Sequence, residues 1–262
     1  QMSIRDSFHD YAQQSTKILA KPLTVSRAVK DGETFSWEGL TFQVLDTPGY
    51  TRGAVTYIVV LNGKKVAFTG DLIYGDGQLW DLYSLQDAIP EAKIGGYHGY
   101  AARLADVIAS LERVAAAHPD VLIPVRGPVI RAPAEAIERL TRRIRDFYAN
   151  YLSIDALRWY FGDEHIMIKA RRVLGPQAKI AWMEMAETVQ EKLPAWIIPI
   201  ANGRLIQAAD GSGFMIDCGS QRILDELKKR HTSGTLKSLG HIFISHYHND
   251  HTDYVPDLVE FF

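Results

Sequence analysis

The feature that most constrains this chain is a group of metal-ligand side chains directly after a short apolar run. The strand-like run "HIFIS" is followed by four of them: His246, His248, Asp250 and His251. Because side chains alternate along a strand, the first two imidazoles point the same way off the strand end, and the other two follow on the turn into a helix. Imidazoles with a carboxylate suit zinc, and also iron or manganese. The sequence therefore predicts a metal site at this strand end.

The rest of the chain alternates between strand and helix signals. Residues 35–71 read as short strands, in which "NGKK" between two β-branched runs predicts a hairpin. The segment from "YHGY" to "HPD" has apolar residues at helical spacing and leads into the strand-like "VLIPV". We expect three parts: a β-rich segment with a helix over 1–131, a helical connector over 132–194, and a second β-rich segment over 195–262.

Composition narrows the class of partner. The chain has 262 residues, 29 Lys and Arg against 31 Asp and Glu, and 47% hydrophobic residues. A chain of this length and hydrophobic content can build a packed core. Its balanced charge predicts a small-molecule substrate, and we expect neither nucleic acid nor a membrane surface as a partner. One cysteine and no apolar run of membrane-spanning length indicate a cytoplasmic protein, with a removed signal peptide as the open alternative.

The histidine-rich segment resembles the metallo-β-lactamase superfamily, whose hallmark H-x-H-x-D-H is matched by its four ligand-type residues position by position. Other segments are similar to further motifs of that family: "GSGFMIDCGS", "LDTPGYTRGAVTYIV", "VAFTGDLIYG" and "VLIPVRGPVI". The resemblance implies an αββα sandwich holding one or two zinc ions, in which metal-bound hydroxide attacks an ester, amide, thioester or phosphodiester. It also implies that Asp250 binds the second metal and orients the nucleophile, and that Asp71 is a metal ligand.

Two positions depart from the family pattern. Tyr50 and Arg126 stand where the resemblance implies histidine ligands, and an arginine cannot be deprotonated to bind a metal. We therefore expect a degenerate site here. Our hypothesis is that Arg126 replaces the metal by pairing with Asp71, with the Tyr50 hydroxyl as a further donor, because a buried carboxylate without a counter-charge is costly.

The motifs also occur in reversed order, since those that come late in the family lie at residues 46–128 and the early ones at 200–251. Three explanations stay open: a piece of a protein with tandem lactamase-like domains, a circular permutation in which Asp71 joins the histidines, or chance. The expected fold is α/β, a four-layer αββα sandwich with its halves in reversed order plus the helical connector. A homo-oligomer formed by exchange of sandwich halves is a related expectation.

The loop after Asp71 is the candidate substrate loop, with Tyr74, Asp76 and Trp80 as its candidate residues. The function predicted for the parent protein is a metal-dependent hydrolase of unknown substrate. The alternative is a non-catalytic lactamase-fold scaffold or dimerisation module with a degenerate metal site. Metal content separates the two.

Overall fold

The computed structural model of the chain describes residues 24–92, 99–184 and 192–262, which divide into two compact units. The first unit extends to Glu184 and the second begins at Met185. Each described unit contains one β-sheet with helices. The predicted α/β class, with two sheets and helices, is therefore confirmed.

The first unit is built on a five-stranded sheet in the order β1-β2-β3-β4-β5. Its strands are β1 (Thr34–Trp37), β2 (Leu40–Asp46), β3 (Val55–Leu61), β4 (Lys64–Gly70) and β5 (Val121–Pro124). Its helices are α1 (Leu104–Ala116), α2 (Pro133–Ser153), α3 (Leu157–Phe161) and α4 (Asp163–Leu174). Strands β1 to β4 are antiparallel, and β5 pairs with β4 in parallel after α1.

The predicted hairpin lies between β3 and β4. Asn62 and Gly63 both have positive φ, at 49° and 73°, and connect Leu61 to its cross-strand partner Lys64. Two central residues with positive φ match the right-handed twist of the flanking strands, which explains why Asn-Gly is favoured here. The helix predicted before "VLIPV" is α1. Tyr97 and His98, at the start of the predicted segment, lie outside the described residues.

The helices of the first unit cover one face of its sheet. Leu45, Ile58, Ala67 and Leu122 from four neighbouring strands share a buried cluster with residues of α1, α2 and α4. Helix α2 contributes Leu140 and Ile144, and it begins with Pro133 in its first turn, where a missing N–H costs nothing. Helices α2 and α4, which the sequence analysis assigned to a connector, thus contribute to the core of the first unit. The division into two half-domains and a connector stays a prediction.

The second unit has a four-stranded sheet in the order β6-β7-β8-β9. Its elements are β6 (Ile197–Ile200), β7 (Gly203–Gln207), β8 (Ser212–Ile216), α5 (Gln221–Thr232), β9 (Ser238–Phe243), α6 (Asn249–Thr252) and α7 (Val255–Phe261). Leu205 and Met215 pack against Leu224 and Leu227 of α5 and Leu258 of α7. The opposite face is apolar but less buried, with Phe214 and Phe243 stacked edge to face.

The two units share one plan of strands. In each, three antiparallel strands are followed by a helix and then by a strand parallel to the last of the three: β2-β3-β4-α1-β5 in the first and β6-β7-β8-α5-β9 in the second. The parallel pair places two carboxyl ends side by side, which is where open α/β sheets gather functional side chains. Within the described parts of the chain, no helix is long and apolar enough to cross a bilayer.

Candidate functional site

The predicted ligands of the second unit meet at the carboxyl ends of β8 and β9. The rings of His246 and His251 have centroids 4.0 Å apart, and those of His246 and His248 are 4.6 Å apart. Nε2 of His246 lies 3.1 Å from Nδ1 of His248, and Nε2 of His251 lies 3.2 Å from a carboxylate oxygen of Asp250. The structure therefore brings the four residues together as two pairs of donor atoms.

A buried carboxylate, Asp217, stands behind this cluster at the end of β8. It accepts hydrogen bonds from the Ser245 amide and hydroxyl, each at 2.7 Å, and its Oδ2 lies 2.8 Å from Nδ1 of His251. Burial acts to raise the pKa of Asp217, but the hydrogen bonds from Ser245 and the contact with His251 hold it below its ordinary value. Asp217 is therefore ionised at neutral pH and can only accept hydrogen bonds.

This carboxylate sets the tautomers of two histidines. Because it only accepts, Nδ1 of His251 must carry the proton between them, and the hydroxyl hydrogen of Ser245 points to Asp217. The Ser245 oxygen then accepts from Nδ1 of His246, 3.1 Å away. In their neutral forms both histidines then have an unprotonated Nε2, which is the form that binds a metal ion.

The backbone of the cluster is fixed by close contacts with the turn after β8 and with the turn between β6 and β7. The Cys218 amide donates to the His251 carbonyl at 2.9 Å, and the Asn202 side chain donates to the Asp250 carbonyl at 2.6 Å. A Cβ added to Gly219 would lie 1.8 Å from the same Asp250 oxygen. Only glycine allows this approach, so the sequence at 217–219 shapes the segment that carries the histidines.

These residues fit a metal ion in chemistry and in pairwise spacing, but they do not complete a site. Two nitrogen or oxygen ligands of a tetrahedral zinc ion lie about 3.3 Å apart, close to both pairs of the cluster. Zinc sites in proteins use three or four protein ligands, and each pair supplies two. No group of three or more His, Cys, Asp or Glu side chains arranged to hold one ion occurs among the described residues.

The first unit places Asp71 and Arg126 at the carboxyl ends of its own parallel strands, β4 and β5. Nη1 of Arg126 donates to Oδ2 of Asp71 at 2.7 Å, so the predicted pairing is observed. The hydrogen bond and the charge of Asp71 raise the pKa of Arg126, and Tyr50 adds a smaller contribution. A metal ion does not fit at Asp71 as the residues stand, because a fixed cation already contacts its carboxylate and arginine cannot act as a ligand.

Tyr50 lies beside this ion pair, and its hydroxyl has an acceptor that the sequence did not indicate. The hydroxyl donates to Asp81 at 3.1 Å, and Asp81 also accepts from the Ser84 amide at 2.7 Å. Burial is the main reason that the pKa of Tyr50 is raised, and the charges of Asp81 and Asp71 act in the same direction. The phenol therefore stays protonated at neutral pH and is a donor in this site, not a metal ligand.

The three candidate residues of the substrate loop have different surroundings. Trp80 is half exposed and lies under the Arg126 guanidinium, whose Cζ is 5.1 Å from the ring centroid. Tyr74 packs against Trp80 with centroids 5.8 Å apart. Asp76 forms an ion pair with Arg139 of α2. The loop thus contacts the body of the unit through Asp76 and Trp80.

Sequence reasoning missed several residues of these sites. Asp217 was visible only as part of the "MIDCGS" segment, and Ser245 only as the end of a strand. Asp81 and Arg139 gave no local signal, because their partners lie 31 and 63 residues away in the chain. Their roles follow from contacts that only the folded chain brings together.

Comparison with known proteins gives partial matches. No family model matches the chain. Over 64 residues it is 38% identical to the hydroxyacylglutathione hydrolase of Brucella ovis, which is 24% of each chain. Over 59 residues it is 39% identical to the hydroxyacylglutathione hydrolase of Brucella anthropi, 22% of each. The chain thus spans about a quarter of the length of the curated relatives it matches.

Solved structures of other proteins superpose on part of this chain. A metallo-β-lactamase family protein from Thermus thermophilus has 17% identity and a TM-score of 0.38, covering 59% of this chain and 49% of that one. A subclass B3 metallo-β-lactamase of Bradyrhizobium japonicum has 18% identity and a TM-score of 0.34, covering 53% and 55%. Overlaps of this size carry no argument by themselves. The H-x-H-x-D-H segment thus resembles the metallo-β-lactamase superfamily, and the curated relatives matched over about a quarter of their length are hydroxyacylglutathione hydrolases.

Proposed function

We propose that this chain carries part of the active site of a metal-dependent hydrolase, with residues 246–251 as half of its ligand set. The observation that carries the proposal is the network centred on Asp217, which places the proton of neutral His246 and His251 on Nδ1 and leaves Nε2 of each facing a second donor atom. A structural surface cluster has no need of this arrangement. Carboxylate-oriented histidines are typical of metal sites.

The chemistry that follows is hydrolysis. A zinc ion held at such a site supplies a Lewis acid and lowers the pKa of water to about 7. Asp250, whose side chain is largely exposed, is the carboxylate available to orient a nucleophile. The remaining ligands come from residues outside the two pairs. Whether tandem domains or a permuted order supplies them stays a prediction, as does exchange of sandwich halves between copies.

The substrate we propose is a small molecule with an ester, amide, thioester or phosphodiester bond. The proteins it matches over a quarter of their length are hydroxyacylglutathione hydrolases, so an acylglutathione thioester is the first substrate to test. The nearly balanced charge of the chain gives no reason to expect a polyanionic partner.

Metal content and hydrolysis test the proposal together. Zinc per chain would be measured by elemental analysis after exchange into metal-free buffer with a defined zinc concentration, for the wild type and for His246→Ala with His248→Ala. We expect the double variant to bind less zinc and to keep its circular dichroism spectrum, because these side chains lie at a strand end and not in the core. His241→Ala is the matched control, since His241 is an exposed histidine of β9 outside the cluster.

Hydrolysis is then assayed with an acylglutathione, a β-lactam and a phosphodiester, with and without a chelator. Loss of zinc and of hydrolysis in the double variant, with neither lost in His241→Ala, is the expected result. Equal zinc content in all three proteins would refute a metal site at these histidines.

A second candidate function is favoured by the first unit. There, the contact between Arg126 and Asp71 places a guanidinium against the candidate metal-binding carboxylate. This supports a non-catalytic, scaffold role for the first unit, whether or not the second unit binds metal. Such a role predicts that zinc binding is unchanged by Asp71→Asn.

A further inference from the structure

The shared strand plan of the two units allows their sites to be compared position by position. A carboxylate follows the last antiparallel strand directly in both: Asp71 after β4 and Asp217 after β8. The neighbouring parallel strand is followed, two residues after its end, by Arg126 in the first unit (after β5) and by Ser245 in the second (after β9). In both units a donor from the second strand end binds the carboxylate, at 2.7 Å in each case. In the first unit that donor carries a full positive charge.

The guanidinium of Arg126 also has a second contact. It lies over the ring of Trp80, which stands nine residues after Asp71 at the far end of the loop. A guanidinium above an indole face is attracted by the ring's quadrupole and packs flat on it. One side chain therefore connects the start of the loop 71–82 to its end.

The same loop has hydrogen bonds between its own residues and contacts with residues outside it. The Tyr74 and Gln78 amides donate to each other's carbonyls at 2.8 and 2.9 Å. A Cβ added to Gly127 would lie 2.6 Å from the Tyr74 ring, so the residue after Arg126 is in close contact with the loop. On the other side, Arg143 of α2 donates to the Gly77 carbonyl at 2.6 Å.

We propose that Arg126 is a positioning residue that holds the loop 71–82 in place without a metal ion, by binding Asp71 and stacking on Trp80. This inference goes beyond the proposed hydrolase function, which concerns the second unit. The guanidinium supplies the positive charge at the strand ends that a metal ion would otherwise supply. Its planar shape adds what a metal ion does not offer, a flat contact that fixes the exposed Trp80 and, through it, Tyr74. The result is a preformed aromatic surface beside the strand ends.

Hydrogen exchange of the Tyr74 and Gln78 amides tests this directly, because both amides are protected only while the loop is closed. The proteins compared are the wild type, Arg126→Ala, Arg126→Lys and Arg131→Ala, the last an exposed arginine in the same segment. We expect exchange of the two amides to become about fivefold faster or more in Arg126→Ala, since an ion pair and a cation–π contact are lost together. Arg126→Lys should be intermediate, because an ammonium keeps the charge but not the flat contact. Arg131→Ala should match the wild type.

Metal dependence and a second variant make the test decisive. Adding zinc or a chelator should leave exchange of both amides unchanged in the wild type, and so should the double substitution of His246 and His248. If Arg126→Ala unfolds, Trp80→Leu removes the ring and leaves the ion pair, and it should accelerate exchange of the same amides. Wild-type exchange rates in Arg126→Ala, or faster exchange of the wild-type protein in chelator, would overturn the proposal.

Discussion

The carboxylate of Asp217 lies 2.8 Å from Nδ1 of His251, and through the Ser245 hydroxyl it also reaches Nδ1 of His246. One buried acceptor thus controls which nitrogen of two imidazoles faces the cluster. Asp217 itself has a φ of 61°, a backbone conformation that Asp adopts more readily than most residues. The turn after β8 therefore fixes the orientation of side chains in the segment after β9.

Replacing this acceptor should weaken metal binding without removing any ligand. In Asp217→Asn the amide can donate as well as accept, so His246 and His251 are no longer restricted to one tautomer. We expect zinc affinity to fall about 10- to 100-fold, the range seen when a carboxylate behind a ligating histidine is lost. Competition with a chromophoric chelator measures it. Asp210→Asn, an exposed aspartate that binds Ser212 in the β7–β8 turn, should bind zinc like the wild type. Equal affinities for both variants would contradict the role of Asp217.

The single cysteine should react only when the second unit opens. Cys218 is fully buried, and burial, followed by the charge of Asp257, raises the pKa of its thiol to about 11. Relative to a free cysteine with a pKa of about 8.5, the thiolate fraction at pH 8 is about 200-fold lower. We expect slow labelling by a disulfide reagent in native buffer and complete labelling in denaturant. Thr232→Cys combined with Cys218→Ala provides an exposed control, and equally fast native labelling of both proteins would disprove the burial of Cys218.

The assignment of α2 to the core of the first unit predicts a large effect of truncating its inward face. Leu140 is 2% exposed and lies in the same cluster as the sheet residues. Leu140→Ala should lower the free energy of unfolding by about 2–5 kcal/mol, because it leaves a cavity between helix and sheet. Glu138→Ala, on the exposed side of the same helix, should change it by about 0.5 kcal/mol or less. Urea unfolding measures both. A cost for Leu140→Ala as small as that of Glu138→Ala would mean that α2 is not a core helix.

Acid should destabilise the first unit partly through Asp87. Burial acts to raise the pKa of Asp87, but hydrogen bonds from Arg52 and the Ala88 amide, and the charge of Arg103, hold it below its ordinary value. A carboxyl whose folded pKa lies below the unfolded value of about 3.9 stabilises the fold above that pH, and this contribution is lost as pH falls through the folded pKa.

Asp87→Asn should therefore flatten the decline of the unfolding free energy between about pH 4 and pH 2, compared with the wild type. Urea unfolding at a series of pH values measures this slope. Asp146→Asn, at an exposed carboxylate of α2, should keep the wild-type slope. An unchanged slope in Asp87→Asn would contradict the role of its ion pairs.

The sequence alone determined the local elements, because their signals are local. Alternation of apolar residues and the Asn62–Gly63 turn predicted the β3–β4 hairpin, and both are observed. The spacing of His246, His248 and His251 predicted that they would lie close enough to bind one metal ion. Their rings do lie close together, but no group of three such side chains arranged to hold one ion occurs among the described residues. The contact between Asp71 and Arg126 was predicted through the resemblance, and its atoms do meet.

Only the tertiary structure decided which partners these residues have. Tyr50 donates to Asp81, and the helices expected to form a connector pack on the first sheet, because apolar faces bury against whichever surface the fold presents. The role of Asp217 depends on β8 and β9 lying side by side, although 28 residues separate it from Ser245. A sequence pattern specifies the types of group at a strand end. Their protonation, orientation and counter-charge are set by neighbours that arrive from distant parts of the chain.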